Sequence, residues 1–243
     1  MEQVSYKGFV MKEILQPHYE ERNANIDMIV YHCSVCNPEQ MIKVLDEARL
    51  SAHYIIGTDG DIIRLVKDEK KAWHAGMSYW QGRKNLNCHS IGIELCSPSF
   101  GQNEYTGEQI NSLIELSREL IDRYNIPAHN IVGHSDIAPT RKPDPGIAFP
   151  WKKLADNGIG LWYDIKDAQK IQENDVEVLL DKIGYETVNL AASAYAFCRH
   201  FIPNEVYINH NYRELAEAPY NHNFKLNNKY LDILKACCYI YTK

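Results

Sequence analysis

The chain has 243 residues, 45% hydrophobic and 24% charged, which is the balance of an ordinary globular protein and enough length for one large domain with a small one beside it. A net charge of -6, with basic residues scattered rather than banded, removes the electrostatic footprint that nucleic acid requires. No run approaches the roughly 18 to 20 apolar residues that cross a bilayer, and the start, MEQVSYKGFV, lacks a signal-peptide core. The expectation is a cytoplasmic protein, with a periplasmic one as the alternative.

Seven cysteines are an odd count, and Cys237 and Cys238 are adjacent, so a disulfide framework is not expected. Cys33 and Cys36 form a C-x-x-C with no second pair to complete a zinc knuckle, and most of the cysteines read as small core residues.

In chain order, IDMIVYHCS (26–34) reads as a buried strand and PEQMIKVLDEARL (38–50) as a helix beginning at a proline. SAHYIIGTDGDIIRLV (51–66) reads as two strands about an Asp59-Gly60 turn. SIGIELCS (90–97) alternates Ile91, Ile93 and Leu95 against Ser90, Gly92 and Glu94, so Glu94 is expected on the face opposite the isoleucines. Thr106 and Gln109 make a capping box for a long helix, and NIVGHS then leads as a short strand into GHSDIAPTRKPDPG (133–146). The expectation is an α/β protein with a mixed central sheet flanked by helices over 1–158. A linker over 159–172 and a small all-α domain of three helices over 173–243 follow. Between its last two helices lies a polar stretch rich in Asn, His and Tyr, a loop or a binding edge.

Of the ten histidines, His32 and His134 each end an apolar strand, and two strand ends in one sheet can converge. The segment APTRKPDPG is stiffened by prolines and could bring Asp144 back beside His134, although Asp before Pro-Gly is also ordinary turn chemistry. Two imidazoles and one carboxylate with a position left open form the pattern of a catalytic zinc site, whose chemistry is the activation of water at neutral pH.

Five segments in order, IVYHCS, SAHYIIGTDGDI, KKAWHAGMSYWQGR, NCHSIGIEL and GHSDIAPTRKPDPG, resemble the successive motifs of the type-2 N-acetylmuramoyl-L-alanine amidases, the AmpD-like zinc amidases of peptidoglycan. The resemblance spans about residues 26–155. It implies that family's fold and one Zn2+ per chain held by His32, His134 and Asp144, with Glu94 and Lys142 as catalytic residues that are not ligands. The implied reaction is hydrolysis of the amide between N-acetylmuramic (or 1,6-anhydro-N-acetylmuramic) acid and L-alanine, in peptidoglycan or muropeptides. A carboxylate at such a site can carry a proton from water to the leaving amine, and a cation can stabilise the oxyanion.

Ala52 stands before His53 where the bacteriophage amidases carry a tyrosine, which favours Glu94 as the proton-handling group. His53 itself reads either as a group orienting a ligand or as a core histidine. The resemblance points to Arg49, Trp73 and His74 as substrate contacts. A second carboxylate-binding arginine of the family falls on Asn85 here, with Arg83 or Lys84 as possible substitutes. The C-terminal helices resemble a peptidoglycan-binding-like domain, or else brace the catalytic domain.

Two other classes compete. A non-catalytic peptidoglycan-recognition module would have lost a ligand, whereas Asp144, Glu94 and Lys142 are all present. A non-haem iron oxygenase would use His134-x-Asp136 with His200, His210 or His222, but in a helical context unlike the strand-rich barrel it needs. Muropeptide fragments are the expected partners, and oligomeric state is open.

Overall fold

The computed structural model describes the backbone of residues 2–6, 9–209 and 224–243. Its strands are β1 (Glu2–Tyr6), β2 (Phe9–Glu13), β3 (Tyr19–Glu21), β4 (Met28–Ser34), β5 (Tyr54–Ile56), β6 (Ile62–Arg64), β7 (Lys70–Ala72), β8 (Tyr79–Trp80), β9 (Arg83–Lys84), β10 (Ser90–Cys96) and β11 (Ile131–Gly133). Seven of them form one mixed sheet in the order β1-β2-β6-β5-β10-β4-β11. Strand β10 lies parallel to both β4 and β5, β11 is parallel to β4, and the β5–β6 hairpin is antiparallel.

The helices follow from local chemistry. Helix α1 (Pro38–Glu47) starts at a proline behind Asn37, whose side chain accepts from the Gln40 N–H while the Gln40 side chain returns the bond. Helix α2 (Gly107–Tyr124) is capped by the Thr106 hydroxyl and buries Ile110, Leu113, Ile114, Ser117 and Leu120 at helical spacing. Short helices α3 (His134–Ile137) and α4 (Trp151–Asp156) follow β11. The expected linker carries a 3-10 turn at Ile165–Lys170. Then come α5 (Val176–Ile183), α6 (Leu190–Phe201), α7 (Pro203–Asn209) and α8 (Leu231–Thr242). The polar stretch expected between the last two helices lies largely over 210–223, outside the described residues, as do His210 and His222.

The period-2 alternation of β4 divides the core. Ile29, Tyr31 and Cys33 join Ile91, Ile93 and Leu95 under α2, where the Tyr31 and Ser117 hydroxyls pair at 2.8 Å. Met28 and Val30 point the other way, into a cluster with Val132 and Ile147 that continues through Leu179, Phe197, Phe201 and Leu234 of the C-terminal helices. Each such fully buried side chain contributes about 1.5–3 kcal/mol of apolar transfer. All seven cysteines are free thiols, and five are buried. No helix among the described residues is long and apolar enough to cross a membrane.

Candidate active site

His32 continues the Met28–Val30 row, so its ring emerges on that face at the end of β4. In the parallel register Glu94 of β10 stands directly beside His32, and Ser34, two residues further along β4, donates its hydroxyl to Glu94 Oε2 at 3.1 Å. Glu94 thus lies on the face opposite Ile93 and Leu95, as the alternation predicts.

The third strand end is β11, and His134 follows it as the first residue of α3. The chain then loops out and returns. The Ser135 N–H donates to the Asp144 carbonyl at 2.8 Å, and the return is seated where Gly146 crosses Gly101. Both glycines have positive φ, and a Cβ on Gly101 would meet the Pro145 carbonyl oxygen at 2.0 Å. The crossing delivers Asp144 to the two histidines. His32 Nδ1 and His134 Nδ1 are 2.9 Å apart, and Asp144 Oδ2 is 3.2 and 3.1 Å from them. Among the described residues these three form the one cluster of His, Cys, Asp or Glu able to surround a metal ion.

The opposite edges of both rings are occupied. His134 Nε2–H donates to the Ala75 carbonyl at 3.2 Å, which leaves Nδ1 with its lone pair. His32 Nε2–H donates to His74 Nδ1 at 3.0 Å, and His74 Nε2–H donates to Ser90 Oγ at 3.1 Å. The Ser90 hydroxyl ends the series on the Leu86 carbonyl at 2.8 Å. Every donor in this row points the same way, so the row sets one tautomer of His32. It depends on Gly92, because a Cβ there would meet the His74 ring at 2.4 Å.

His53 serves the sheet. Its Nδ1 accepts from the Gly92 N–H at 3.0 Å and its Nε2 lies 3.1 Å from the Lys70 carbonyl, so it ties the strand under His74 rather than reaching the cluster.

Electrostatics prepare the cluster. Burial and the neighbouring His134 hold His32 down to about 4, so its ring is neutral at pH 7. Burial, reinforced by the Asp144 charge, pushes Glu94 up to about 8.

A cleft of about 400 Å³ opens on this cluster, walled by Leu45, Leu50, Trp73, Phe100 and Arg141, with Glu94 and Lys142 in its lining. The Lys142 backbone N–H donates to the Ala138 carbonyl at 3.0 Å, and its ammonium makes no ion pair or hydrogen bond among the described residues. His74 and Trp73 line the cleft. Arg49 is exposed just past α1 and lies outside the lining, although Leu50 and Ser51 belong to it. Asn85 and Lys84 line a neighbouring cleft that shares Arg141, whereas Arg83 is spent on a two-pronged ion pair with Asp27 at 2.7 and 2.9 Å. Asp136 takes no part in the cluster: its carboxylate accepts from Gly133 N–H, Tyr185 Oη and His200 Nδ1. His134, Asp136 and His200 do not form a group able to surround a metal ion among the described residues, which removes the iron-triad alternative for His200.

Sequence reading missed Ser34, Arg141 and the tautomer-setting place of His74. Ser34 was recoverable, since it shares a strand face with His32. Arg141 had no signal beyond being a cation next to Lys142.

Residues 22–147, just over half of the chain, match the N-acetylmuramoyl-L-alanine amidase family. The chain is 36% identical over 183 residues to the N-acetylmuramoyl-L-alanine amidase AmiD of Escherichia coli, covering 68% of this chain and 65% of that protein. It is 49% identical over 106 residues to the 1,6-anhydro-N-acetylmuramyl-L-alanine amidase AmpD of the same species, covering 44% of this chain and 57% of that protein. The matched segments thus span less than two thirds of these curated relatives. Among solved structures, the complex of E. coli AmiD with the substrate anhydro-N-acetylmuramic acid-L-Ala-D-gamma-Glu-L-Lys superimposes with a TM-score of 0.72 at 28% identity, covering 99% of this chain and 98% of that one.

Proposed function

This chain belongs to the N-acetylmuramoyl-L-alanine amidase family, and from that membership we propose that it hydrolyses the amide joining N-acetylmuramic or 1,6-anhydro-N-acetylmuramic acid to L-alanine in peptidoglycan or muropeptides, using one zinc ion held by His32, His134 and Asp144. The observation that carries the reading is the meeting of three lone-pair atoms at 2.9–3.2 Å from one another, with the far nitrogens of both imidazoles already committed as donors. Zinc bonds of about 2.0–2.1 Å at tetrahedral angles separate ligand atoms by about 3.3 Å, so the donor set suits that ion in kind, number and spacing. When bound, zinc supplies a Lewis acid that polarises the scissile carbonyl and lowers the pKa of water.

The remaining work falls to side chains. Ser34 holds Glu94 Oε2, which leaves Oε1 to take the proton of the attacking water as its oxygen bonds to the carbonyl carbon. The same oxygen returns the proton to the L-alanine nitrogen as the C–N bond breaks. Burial raises the Glu94 carboxyl in the metal-free site, and a carboxylate raised from its ordinary value is a stronger base toward the proton of water. Lys142, lining the cleft two residues before Asp144, stabilises the oxyanion. Trp73 offers its ring to the sugar or peptide, and Arg49, Asn85 and Arg141 are the polar groups we assign to the stem peptide. His74 serves as the positioning partner of His32. We assign residues 1–158 as the catalytic unit, joined through 159–172 to the helical segment 173–243.

Product analysis tests the reaction. Mass spectrometry after incubation with anhydro-muropeptide should show the free anhydro-sugar acid and a peptide beginning with L-alanine. Cleavage within the peptide or the glycan would refute the assignment.

A further inference from the structure

The loop that carries His134 and Asp144 is gripped at both ends from one C-terminal segment. At its start, Asp136 is fully buried and accepts three hydrogen bonds: Gly133 N–H at 2.8 Å, Tyr185 Oη at 2.8 Å and His200 Nδ1 at 2.9 Å. Tyr185 follows α5, and His200 lies in α6 with its ring stacked on Trp151 at 3.8 Å. At the loop's end, Arg199 of α6, 3% exposed, donates Nη1 to the Pro143 carbonyl at 3.1 Å. That carbonyl belongs to the peptide bond leading into Asp144. Two adjacent residues of one helix, Arg199 and His200, therefore reach the two ends of the loop.

A hydrophobic brace would not need these groups. The apolar cluster shared by Val132, Ile137 and Ile147 with Phe197 and Phe201 already joins the helices to the sheet. A buried guanidinium and a buried carboxylate add directional constraints, because each bond is satisfied at one geometry and losing it leaves a desolvated group behind. Their targets are the residues flanking the ligands, and groups in that position set metal affinity by fixing where the ligand atoms stand.

We propose that Tyr185, Arg199 and His200 are positioning residues for the metal site, so that the C-terminal helical segment holds the His134–Asp144 loop in its metal-binding shape. The inference rests on the zinc reading above and extends it to residues outside the matched amidase region. Arg199 acts on Asp144 through the Pro143 carbonyl. Tyr185 and His200 act on His134 through Asp136 and the turn of α3.

The test is zinc affinity of the full chain by competition with a chromophoric chelator at pH 7, with the visible spectrum of the cobalt(II)-substituted protein as a second readout. The proteins compared are the unsubstituted chain, Arg199→Met, Arg199→Lys and Tyr185→Phe. The expected result is about 10- to 100-fold weaker zinc binding and a shifted cobalt spectrum in Arg199→Met and Tyr185→Phe. Arg199→Lys, which keeps a donor, should fall between. A purely structural role would lower the melting temperature and leave affinity within twofold and the cobalt spectrum unchanged, and that result overturns the proposal alone. An unsubstituted chain that binds no zinc overturns the zinc reading and the proposal together. If Arg199→Met does not fold, Tyr185→Phe decides, since it removes one oxygen and no packing volume.

Discussion

His32 Nε2 lies 3.0 Å from His74 Nδ1, and this hydrogen bond puts the His32 proton on Nε2, so that Nδ1 faces Asp144 with its lone pair. His74→Phe keeps the ring volume and removes the acceptor, so His32 is freed to adopt either tautomer. The expected effect is about 10- to 100-fold weaker zinc binding. Equilibrium dialysis against a zinc buffer measures it; an affinity equal to that of the unsubstituted protein would show that the row from His74 to Leu86 does not set the site.

Glu94→Gln separates metal binding from proton transfer. The amide is nearly isosteric and can still meet the Ser34 hydroxyl, but it cannot take a proton from water. Stoichiometric zinc should be retained while kcat falls about 10²- to 10⁴-fold. Turnover at the unsubstituted rate would remove Glu94 from the mechanism.

The buried histidines set the acid limit of the metal-free protein. Burial and the neighbouring His134 hold His32 down to about 4, burial and the adjacent Arg22 guanidinium hold His53 down to about 3, and burial holds His74 well below its ordinary value. The unfolded chain protonates all three below about pH 6.5 while the folded chain does not, so stability present at neutral pH is lost as pH falls from 6.5 toward 4. Each contributes a slope of up to about 1.4 kcal/mol per pH unit. Glu94 has the opposite sign: raised to about 8, its carboxyl binds a proton in the folded state first, which favours folding as pH falls from 8 toward 4.5. Three groups outweigh one, and urea melts of the metal-free protein should weaken steadily below pH 6.5. A flat profile from pH 7 to pH 5 would contradict neutral burial of these rings.

Legibility in the sequence followed the range of the interactions. Glu94 was placed on its face by alternation alone, because the period of two is a property of the strand itself. The long helix was announced by Thr106 and its apolar spacing. The turn at Asp59-Gly60 was read correctly, yet β5 starts only at Tyr54, after Ala52 and His53. Strands β1 and β2 drew no assignment, since short segments of mixed polarity carry little periodic signal. Asp144 could not be distinguished from an ordinary turn residue by spacing, because its approach to His134 depends on the crossing of Gly146 with Gly101, 45 positions earlier. The family motifs supplied what local pattern could not. The partners of Asp136 were beyond both: nothing near GHSDIAPTRKPDPG indicates that Tyr185 and His200 complete its carboxylate.

The most direct test of the account is metal removal and return, followed by hydrolysis of anhydro-muropeptide. Protein stripped by a chelator should release no L-alanine-headed peptide, and one equivalent of zinc should restore hydrolysis to the unsubstituted chain but not to Asp144→Ala, which loses the carboxylate shared by His32 and His134. Hydrolysis by the stripped protein at the rate of the zinc-loaded one would contradict the account.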